Sequence, residues 1–317
     1  MNAGSPDDHR DDGRPGAARW PLDLEPWLTA VGDHARRSAP ELTDLLSDYA
    51  GEARFGAAII QGELAGVPAG SRVLEVGAGM LLLSCALQAA GYRVSALEPV
   101  GSGFSHMDRL RGIVLELAAR RGCEPELRSI RAEQLESDRE FDYAFSINVM
   151  EHVDDVALVL QRVWSALRPG ACYRFVCPNY AFPYEPHFGI PTLGSKALTA
   201  RVFRRRILAS PIVADPHGTW ASLNWISVPS VRRIVRRMLG VEPAFDRDVL
   251  RRYARRAVSD AGFQRRHSPL ARRTFTLLDR AGVFDLVPAA AQPVMSCRID
   301  RPAAERGPAA GAGQRRS

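Results

Sequence analysis

Three groups of residues in this 317-residue sequence have the types and spacing to do chemistry. The first is Glu75, Gly77 and Gly79 within "RVLEVGAGMLLLS" (residues 72–84). Glycines two apart at the end of an apolar run let the backbone pass close to a ligand where a Cβ would clash. A dinucleotide turn needs G-x-G-x-x-G, with the pyrophosphate resting on the N-terminus of the following helix. Here the sixth position is Leu82, so that fingerprint fails. The carboxylate of Glu75, two residues before the first glycine, suits an ammonium or sulfonium better than a phosphate. Glu98 strengthens this reading. It lies 19 residues past Gly79 at the end of a second apolar run, where a carboxylate can hydrogen-bond both hydroxyls of a ribose. Such an acid could equally cap the next helix, but beside E-x-G-x-G the two signals reinforce each other.

The second group is "CPNYAFPYEPHF" (177–188), a proline-braced loop dense in polar and aromatic side chains, which suits ligand recognition. Asn179, Tyr180 and Tyr184 are its candidate substrate-binding residues. Glu185 and His187 could act as acid and base or clamp a hydroxylated substrate; a rigid connector is the plainer alternative. The third group is "NVMEHV" (148–153), with Glu151 and His152 at the start of a helix. His152 is the first candidate for a general base, against a histidine that simply packs or caps there. Glu151 could orient a ligand or stabilise the helix N-terminus. No metal site is expected. The histidines are dispersed, with no H-x-x-x-H and no carboxylate pair at ligand spacing. The five cysteines include no C-x-x-C pair and imply no disulfide framework, which fits a reducing compartment.

The elements that must position these residues follow an alternating rhythm. "RVLEVGAG" reads as a buried strand entering a turn, and "MLLLSCALQAAG" as a helix closed by Gly91. "YRVSALEP" is a second strand, followed by a helix ending at Gly122. "ELRSIRAEQL" offers a short third strand and "FDYAFSINVMEHV" a fourth. "VALVLQRVWSALRPGA" is a helix stopped by Pro169-Gly170, and "CYRFVCPNY" a fifth strand. This alternation predicts an α/β fold: a Rossmann-like, doubly wound, mostly parallel sheet with ligands at the carboxyl ends of its strands. N-terminal helices precede it and a helical insertion follows strand five. "SDAGFQRRHS" could supply a sixth strand and "QPVMSCRID" the last. The boundaries are a disordered leader at 1–19, a helical segment at 20–70, the core at 71–188, a basic helical insertion or lid at 189–260, a return to the sheet at 261–300, and a disordered tail at 301–317. Within the insertion, "GTWASLNWIS" and His217 could form a lid over the site.

With these pieces in order, the sequence resembles the class I S-adenosylmethionine-dependent methyltransferases. The matching segments are "VLEVGAG", "ALEP", "RAEQL", "FDYAFSINVMEHV" and "LRPGACYRFVCPNY" over residues 72–180. More narrowly, "GAGMLLLS", "LEPVGSGFS" and "CPNYAFPYEPHFGIP" are similar to a bacterial group of uncharacterised methyltransferases. The resemblance implies S-adenosylmethionine as cofactor, with Gly77 and Gly79 lining its methionine moiety and Glu98 holding its ribose. It places Glu133 near the adenine, and Asn148 and Val149 at the methionine end. The departure is Leu81, where many members carry a third glycine. Methyl transfer is a direct displacement that depends mainly on alignment. An oxygen acceptor also needs its proton removed, the role proposed for His152.

The implied function is methylation of a small-molecule, lipid or glycan-precursor acceptor, with oxygen favoured. "NVMEHV" stands where the base-flipping amino-methyltransferases of nucleic acid carry N-P-P-Y, which argues against a nucleic-acid partner. Charge is segregated: residues 191–317 carry 24 Lys and Arg against 9 Asp and Glu, net +15, leaving −9 for residues 1–190. In "VRRIVRRMLG" the apolar Val231, Ile234, Val235, Met238 and Leu239 face opposite Arg232, Arg233, Arg236 and Arg237. Such a helix could rest on an anionic membrane or simply be a solvated face. The alternatives are therefore a quinone-type or membrane-lipid O-methyltransferase docked by basic helices, or a non-catalytic binder of cofactor and anionic surfaces. No run is apolar enough to span a bilayer and no secretory signal is present. The expected location is cytoplasmic, with peripheral contact at the inner face of the membrane.

Overall fold

Long buried apolar runs and capped helices account for the architecture of this chain, seen in a computed structural model that describes residues 22–99, 105–211, 213, 215–259 and 269–303. Two helices come first, α1 (Glu25–Ser38) and α2 (Thr43–Leu64). Then follow β1 (Arg72–Val76), α3 (Leu82–Ala89), β2 (Arg93–Leu97), α4 (Ser105–Arg121) and β3 (Glu126–Arg128). β4 (Phe141–Ile147), α5 (Val156–Ala166) and β5 (Leu167–Pro178) complete the parallel part. A small hairpin, β6 (Tyr184–Glu185) and β7 (Ile190–Pro191), leads into α6 (Lys196–Leu208), α7 (Pro216–Ser222) and α8 (Val228–Leu239). After β8 (Ala244–Phe245) come α9 (Val249–Ser259), α10 (Pro269–Arg280), α11 (Val283–Leu286) and β9 (Val294–Asp300).

The main sheet has the order β3-β2-β1-β4-β5-β9-β8. β1 to β5 pair in parallel, and β9 runs antiparallel to both β5 and β8. β1 lies beside both β2 and β4, so the chain reverses direction across the sheet there, and the loops after β1 and β4 diverge over a crevice. Successive residues on the strands serve opposite faces: Val73, Tyr143 and Phe145 pack under α1 to α4, while Leu74, Ala144 and Phe175 pack under α5 and α8. α2 approaches closely at Gly56, where an added Cβ would meet Leu83 Cδ1 at 2.7 Å and Ile147 Cγ1 at 3.0 Å.

Local signals set the helix ends. Asp155 caps α5 by accepting from the amides of Ala157 and Leu158 (2.9 and 3.0 Å). Ser227 and Ser230 cap each other's backbone at the start of α8, and Gly240 closes it. α8 buries Val231 and Val235 and half-buries Ile234 and Leu239, but Met238 faces solvent.

Three sequence expectations need correction. Strand five begins at Leu167, so Pro169-Gly170 lies inside the strand and the helix ends three residues earlier than that pair. The register shift between Phe141 and Tyr143 accommodates it. The third strand is only three residues long, and "RAEQL" is instead a turn of 3₁₀ helix at Ala132–Gln134. The edge of the sheet beyond β9 is formed by Ala244–Phe245, a strand that the sequence did not suggest, and "SDAGFQRRHS" lies, but for Ser259, outside the described residues. The leader at 1–19 and most of the tail at 301–317 also lie outside them. Among the described residues no helix is long and apolar enough to cross a membrane.

Candidate active site

The crevice is built from its narrowest point. β1 ends at Val76, and the amides of Gly77 and Ala78 donate to Leu97 O of β2 (2.9 and 3.0 Å). Gly77 has φ +70°, and a Cβ there would lie 2.4 Å from Val149 Cγ2. The loops after β1 and β4 therefore touch through a hydrogen atom, and only glycine fits. Gly79 also has positive φ (+52°), but an added Cβ would have nothing within 4 Å, which leaves open room on the crevice side. Its amide donates to Glu98 Oε2 at 2.8 Å. Leu81 adopts φ 62° at the N-cap of α3, with its side chain fully buried. Leu81 thus takes a left-handed conformation that glycine would adopt without strain and gains core packing in exchange.

Glu75 is buried and accepts the hydroxyl of Ser84, in the first turn of α3. Burial pushes its pKa up to about 8, with the Ser84 hydrogen bond opposing and the Glu98 charge adding to the rise. Glu98 is likewise raised, chiefly by burial, with the Gly79 amide and Arg111 pulling the other way. Arg111 is a site residue that the sequence did not single out. It is buried on α4, donates from Nε to Gly79 O (2.8 Å), and places Nη2 3.4 Å from Glu98 Oε1. Its i−3 neighbour Asp108 holds the other arm at 3.0 Å. That i,i+3 acid–arginine pair, on the helix right after Glu98, was the available signal.

Two residues assigned to the cofactor do local structural work here. Glu133 Oε1 accepts from the amides of Asp154 (2.8 Å) and Asp155 (3.4 Å), tying the 3₁₀ turn to the start of α5. Asn148 has φ 55° and donates to Glu52 Oε2 of α2 at 2.8 Å, while Arg256 of α9 donates to Glu52 Oε1 at 2.8 Å. The N-terminal and C-terminal helices are thereby latched onto the end of β4.

Beyond Val149 lies a cluster of two glutamates and two histidines. His152 Nδ1 is 2.8 Å from Ser222 Oγ, and that hydroxyl donates its one proton to Thr219 O at 2.9 Å. With that hydroxyl directed to Thr219 O, Ser222 accepts from the ring, the arrangement in which the imidazole carries its proton on Nδ1 and a lone pair on Nε2. Burial, and then the neighbouring His187, push His152 down to about 4. The two imidazoles sit edge to face with centroids 5.2 Å apart. Glu185 is fully buried and accepts four hydrogen bonds: His187 Nδ1 (2.6 Å), the His187 amide (3.1 Å), the Phe188 amide (2.7 Å) and the Tyr180 hydroxyl (3.3 Å). Glu151 is also fully buried, yet neither oxygen accepts from another of the described residues. Burial lifts it to about 7, with His187 opposing.

"GTWASLNWIS" packs against this cluster. It brings Ser222 to His152, and Asn224 Nδ2 clasps Met150 O and Val153 O (2.7 and 2.9 Å). His217, in the same segment, is exposed on α7. Trp225 stacks on Tyr180 with centroids 5.2 Å apart, and its buried Nε1 has no partner among the described residues. Two candidates from the 177–188 loop do not face the cluster with free groups. Asn179 is fully buried with its amide committed to Ala290 O, Gln292 O and the amides of Ala181 and Val228. Tyr184 is 39% exposed because strand alternation turns it opposite to Glu185.

This strand order, with a ribose-type acid after β2 and an open turn after β1, defines a class I S-adenosylmethionine-binding domain. The residues fit that cofactor: open space beside Gly79 adjoins a carboxylate at the end of β2. The chain belongs to the methyltransferase-domain family, which it matches over residues 36–207, and is an S-adenosylmethionine-dependent methyltransferase. It is 43% identical over 281 residues to the uncharacterized protein Rv1509 of Mycobacterium tuberculosis (strain ATCC 25618 / H37Rv), covering 88% of this chain and 95% of that protein. Among solved structures it is similar to phosphoethanolamine N-methyltransferase 2 of Haemonchus contortus in complex with S-adenosyl-L-methionine (TM-score 0.48, 15% identity, 86% of this chain). This chain spans 60% of that enzyme's length. It is also similar to the YcgJ protein of Bacillus subtilis (TM-score 0.44, 15% identity, 78% of this chain and 97% of that one). At these levels neither structure informs substrate or residue roles.

Gly77→Ala should weaken S-adenosylhomocysteine binding by at least about tenfold in calorimetry, equivalent to about 1.4 kcal/mol. Val149→Ala in the same chain should recover part of the loss. Wild-type affinity in Gly77→Ala alone would show that the close approach does not shape the seat.

Proposed function

We propose that this methyltransferase acts on an oxygen of a small-molecule acceptor, lipid and glycan precursors included, seated between the β1 turn and the rim formed by residues 180–226. The observation that carries this reading is the placement of His152, whose Nδ1 meets Ser222 Oγ at 2.8 Å with Thr219 O behind it at 2.9 Å. Nδ1 donating into that chain leaves the Nε2 lone pair for the acceptor. A hydroxyl acceptor must lose its proton as the methyl arrives, and a neutral imidazole is the ordinary side chain for that task.

When bound, the cofactor supplies an electrophilic methyl group on a positively charged sulfur. Glu98 would hold the ribose hydroxyls, exchanging its contact with Arg111 for them. Gly77 and Gly79 let the backbone lie close to the methionine portion, with Val149 and Asn148 bounding it, and Glu133 stands toward the adenine side. Glu75 supplies a carboxylate near a cationic ligand, whose arrival favours the ionised form that burial disfavours. At the acceptor end, Tyr180 and Trp225 form an aromatic wall, and Trp225 Nε1 can donate to an acceptor oxygen. Glu185 orients His187 beside His152. The protein's catalytic contribution is then alignment, exclusion of water and removal of one proton.

A second observation favours an acceptor or docking surface at a membrane. On α6, Leu198, Val202 and Leu208 are about half exposed and share one face with the exposed Arg201, Arg204 and Arg205. Apolar side chains flanked by arginines are what an interfacial helix presents to anionic lipid. On α8, by contrast, Arg232 and Arg236 both pair with Glu242, which reduces the charge of the face that the sequence emphasised.

With labelled S-adenosylmethionine, product should form from hydroxylated small molecules. His152→Ala should lower turnover by about a hundredfold or more, the usual worth of a general base, while S-adenosylhomocysteine affinity stays unchanged. Wild-type turnover in both His152→Ala and His187→Ala would overturn the proton-removal role, and product on amines alone would overturn the oxygen acceptor. For the membrane reading, the chain should sediment with anionic but not neutral vesicles. Replacing Arg201, Arg204 and Arg205 by Glu should abolish this, and sedimentation unaffected by the triple change would exclude α6 as the contact.

A further inference from the structure

We propose that Glu151, His152 and His187 bind a first-row divalent cation, zinc foremost, at the acceptor end of the crevice. The sequence held no metal-ligand spacing because His187 lies 35 residues beyond His152. In the fold, one ligand atom from each of the three residues lies within 4.8 Å of the others.

The argument starts from an imbalance between two buried carboxylates in the same cluster. Glu185 is given four donors, whereas among the described residues no other residue donates to Glu151, although its side chain has no exposure at all. Buried carboxylates persist in proteins when they are paired, hydrogen-bonded or coordinated to a metal. No other described residue donates a hydrogen bond to Glu151, and the nearest cationic partner is distant, with Oε1 4.0 Å from His152 Nε2. A cation between them would satisfy both.

The imidazoles are prepared in the manner of metal ligands. A ligating histidine commonly donates its other ring N–H to a carboxylate or a polar oxygen, which fixes the tautomer and the ring plane. His187 Nδ1 engages Glu185 at 2.6 Å, and His152 Nδ1 engages Ser222 at 2.8 Å, with Thr219 O behind it. Nε2 of each ring is then the ligating atom. Zinc bonds of about 2.1 Å require ligand atoms about 3.4 Å apart, so the three side chains need to close by about an ångström. Two imidazole nitrogens and one carboxylate oxygen suit zinc and its first-row neighbours, whereas magnesium and calcium prefer oxygen donors throughout. Three protein ligands leave a fourth position open.

Resting on the methyl-transfer reading above, this site narrows the acceptor to an oxygen compound whose hydroxyl can join the cation. Coordination acidifies such a hydroxyl, and its proton passes to bulk water. In the loaded protein the His152 lone pair belongs to the cation, so His152 serves as the proton acceptor only in the cation-free form.

The test uses the full chain, stripped with a chelator, dialysed and titrated with zinc chloride alone. One zinc per chain should bind saturably. Glu151→Gln and His187→Ala should each weaken binding by at least about tenfold, and His217→Ala on the exposed side of α7 should leave it unchanged. Circular dichroism confirms that each variant is folded, and if one is not, the other decides. Absence of stoichiometric binding to the wild type, or wild-type affinity in a folded Glu151→Gln or His187→Ala, would overturn the site. S-adenosylhomocysteine is titrated into the same samples. Its binding without zinc binding refutes this inference alone, and zinc binding without it refutes the cofactor seat alone.

Discussion

The contact between Gly77 and Val149 governs the geometry of everything that follows. With no Cβ on Gly77, the loops leaving β1 and β4 meet at van der Waals distance, and any side chain there would hold them apart. The parallel pairing of β1 with β4 places both carboxyl ends at one rim. One side of the contact then carries the turn after β1, with Gly79 open and Glu98 bonded to its amide. The other side carries Glu151 and His152 two and three residues further along the chain. A single close approach thus sets the distance between that turn and the glutamate–histidine cluster, which in the proposed function is the donor–acceptor spacing that a displacement depends on most.

Around that contact the carboxylates are held in three different conditions. Glu98 is tied to Gly79 and Arg111 by contacts that a ribose can replace one for one. Glu185 is saturated with donors and orients His187, a role that requires it to stay where it is. Glu151 is buried and unsatisfied, a condition that natural interiors rarely leave uncompensated. The outer elements serve these three states. α2 and α9 hold Asn148 through Glu52 and Arg256, the end of α7 holds His152 through Ser222, and the segment after it holds the adjoining loop through Asn224.

Much of the sheet was legible in the sequence because β1, β2, β4 and β5 are nearly continuous apolar runs, as strands covered on both faces must be. The turn at Gly77 and Gly79 and its contact with Glu98 were legible because they follow from local spacing. What could not be read were partners set by tertiary contact. Arg111 reaches Glu98 from another element, and Ser222 reaches His152 across 70 residues. The meeting of Glu151 with His187 depends on how the 177–188 loop folds back, which no periodicity encodes. Asn179 misled for the opposite reason: a polar residue at a strand end looks like a ligand contact, yet here it satisfies backbone groups of its neighbours. The two-residue β8 was missed because an edge pairing so short leaves no alternating pattern.

The most direct test of the whole arrangement is a crystal structure of the chain with S-adenosylhomocysteine bound. The expected result is the ribose on Glu98 with Arg111 moved off that carboxylate, the methionine portion along Gly77 and Gly79, and the sulfur directed past Val149 toward His152 and Glu151. A ligand seated elsewhere, or a complex in which Arg111 keeps Glu98 and the sulfur points away from the histidines, would contradict it.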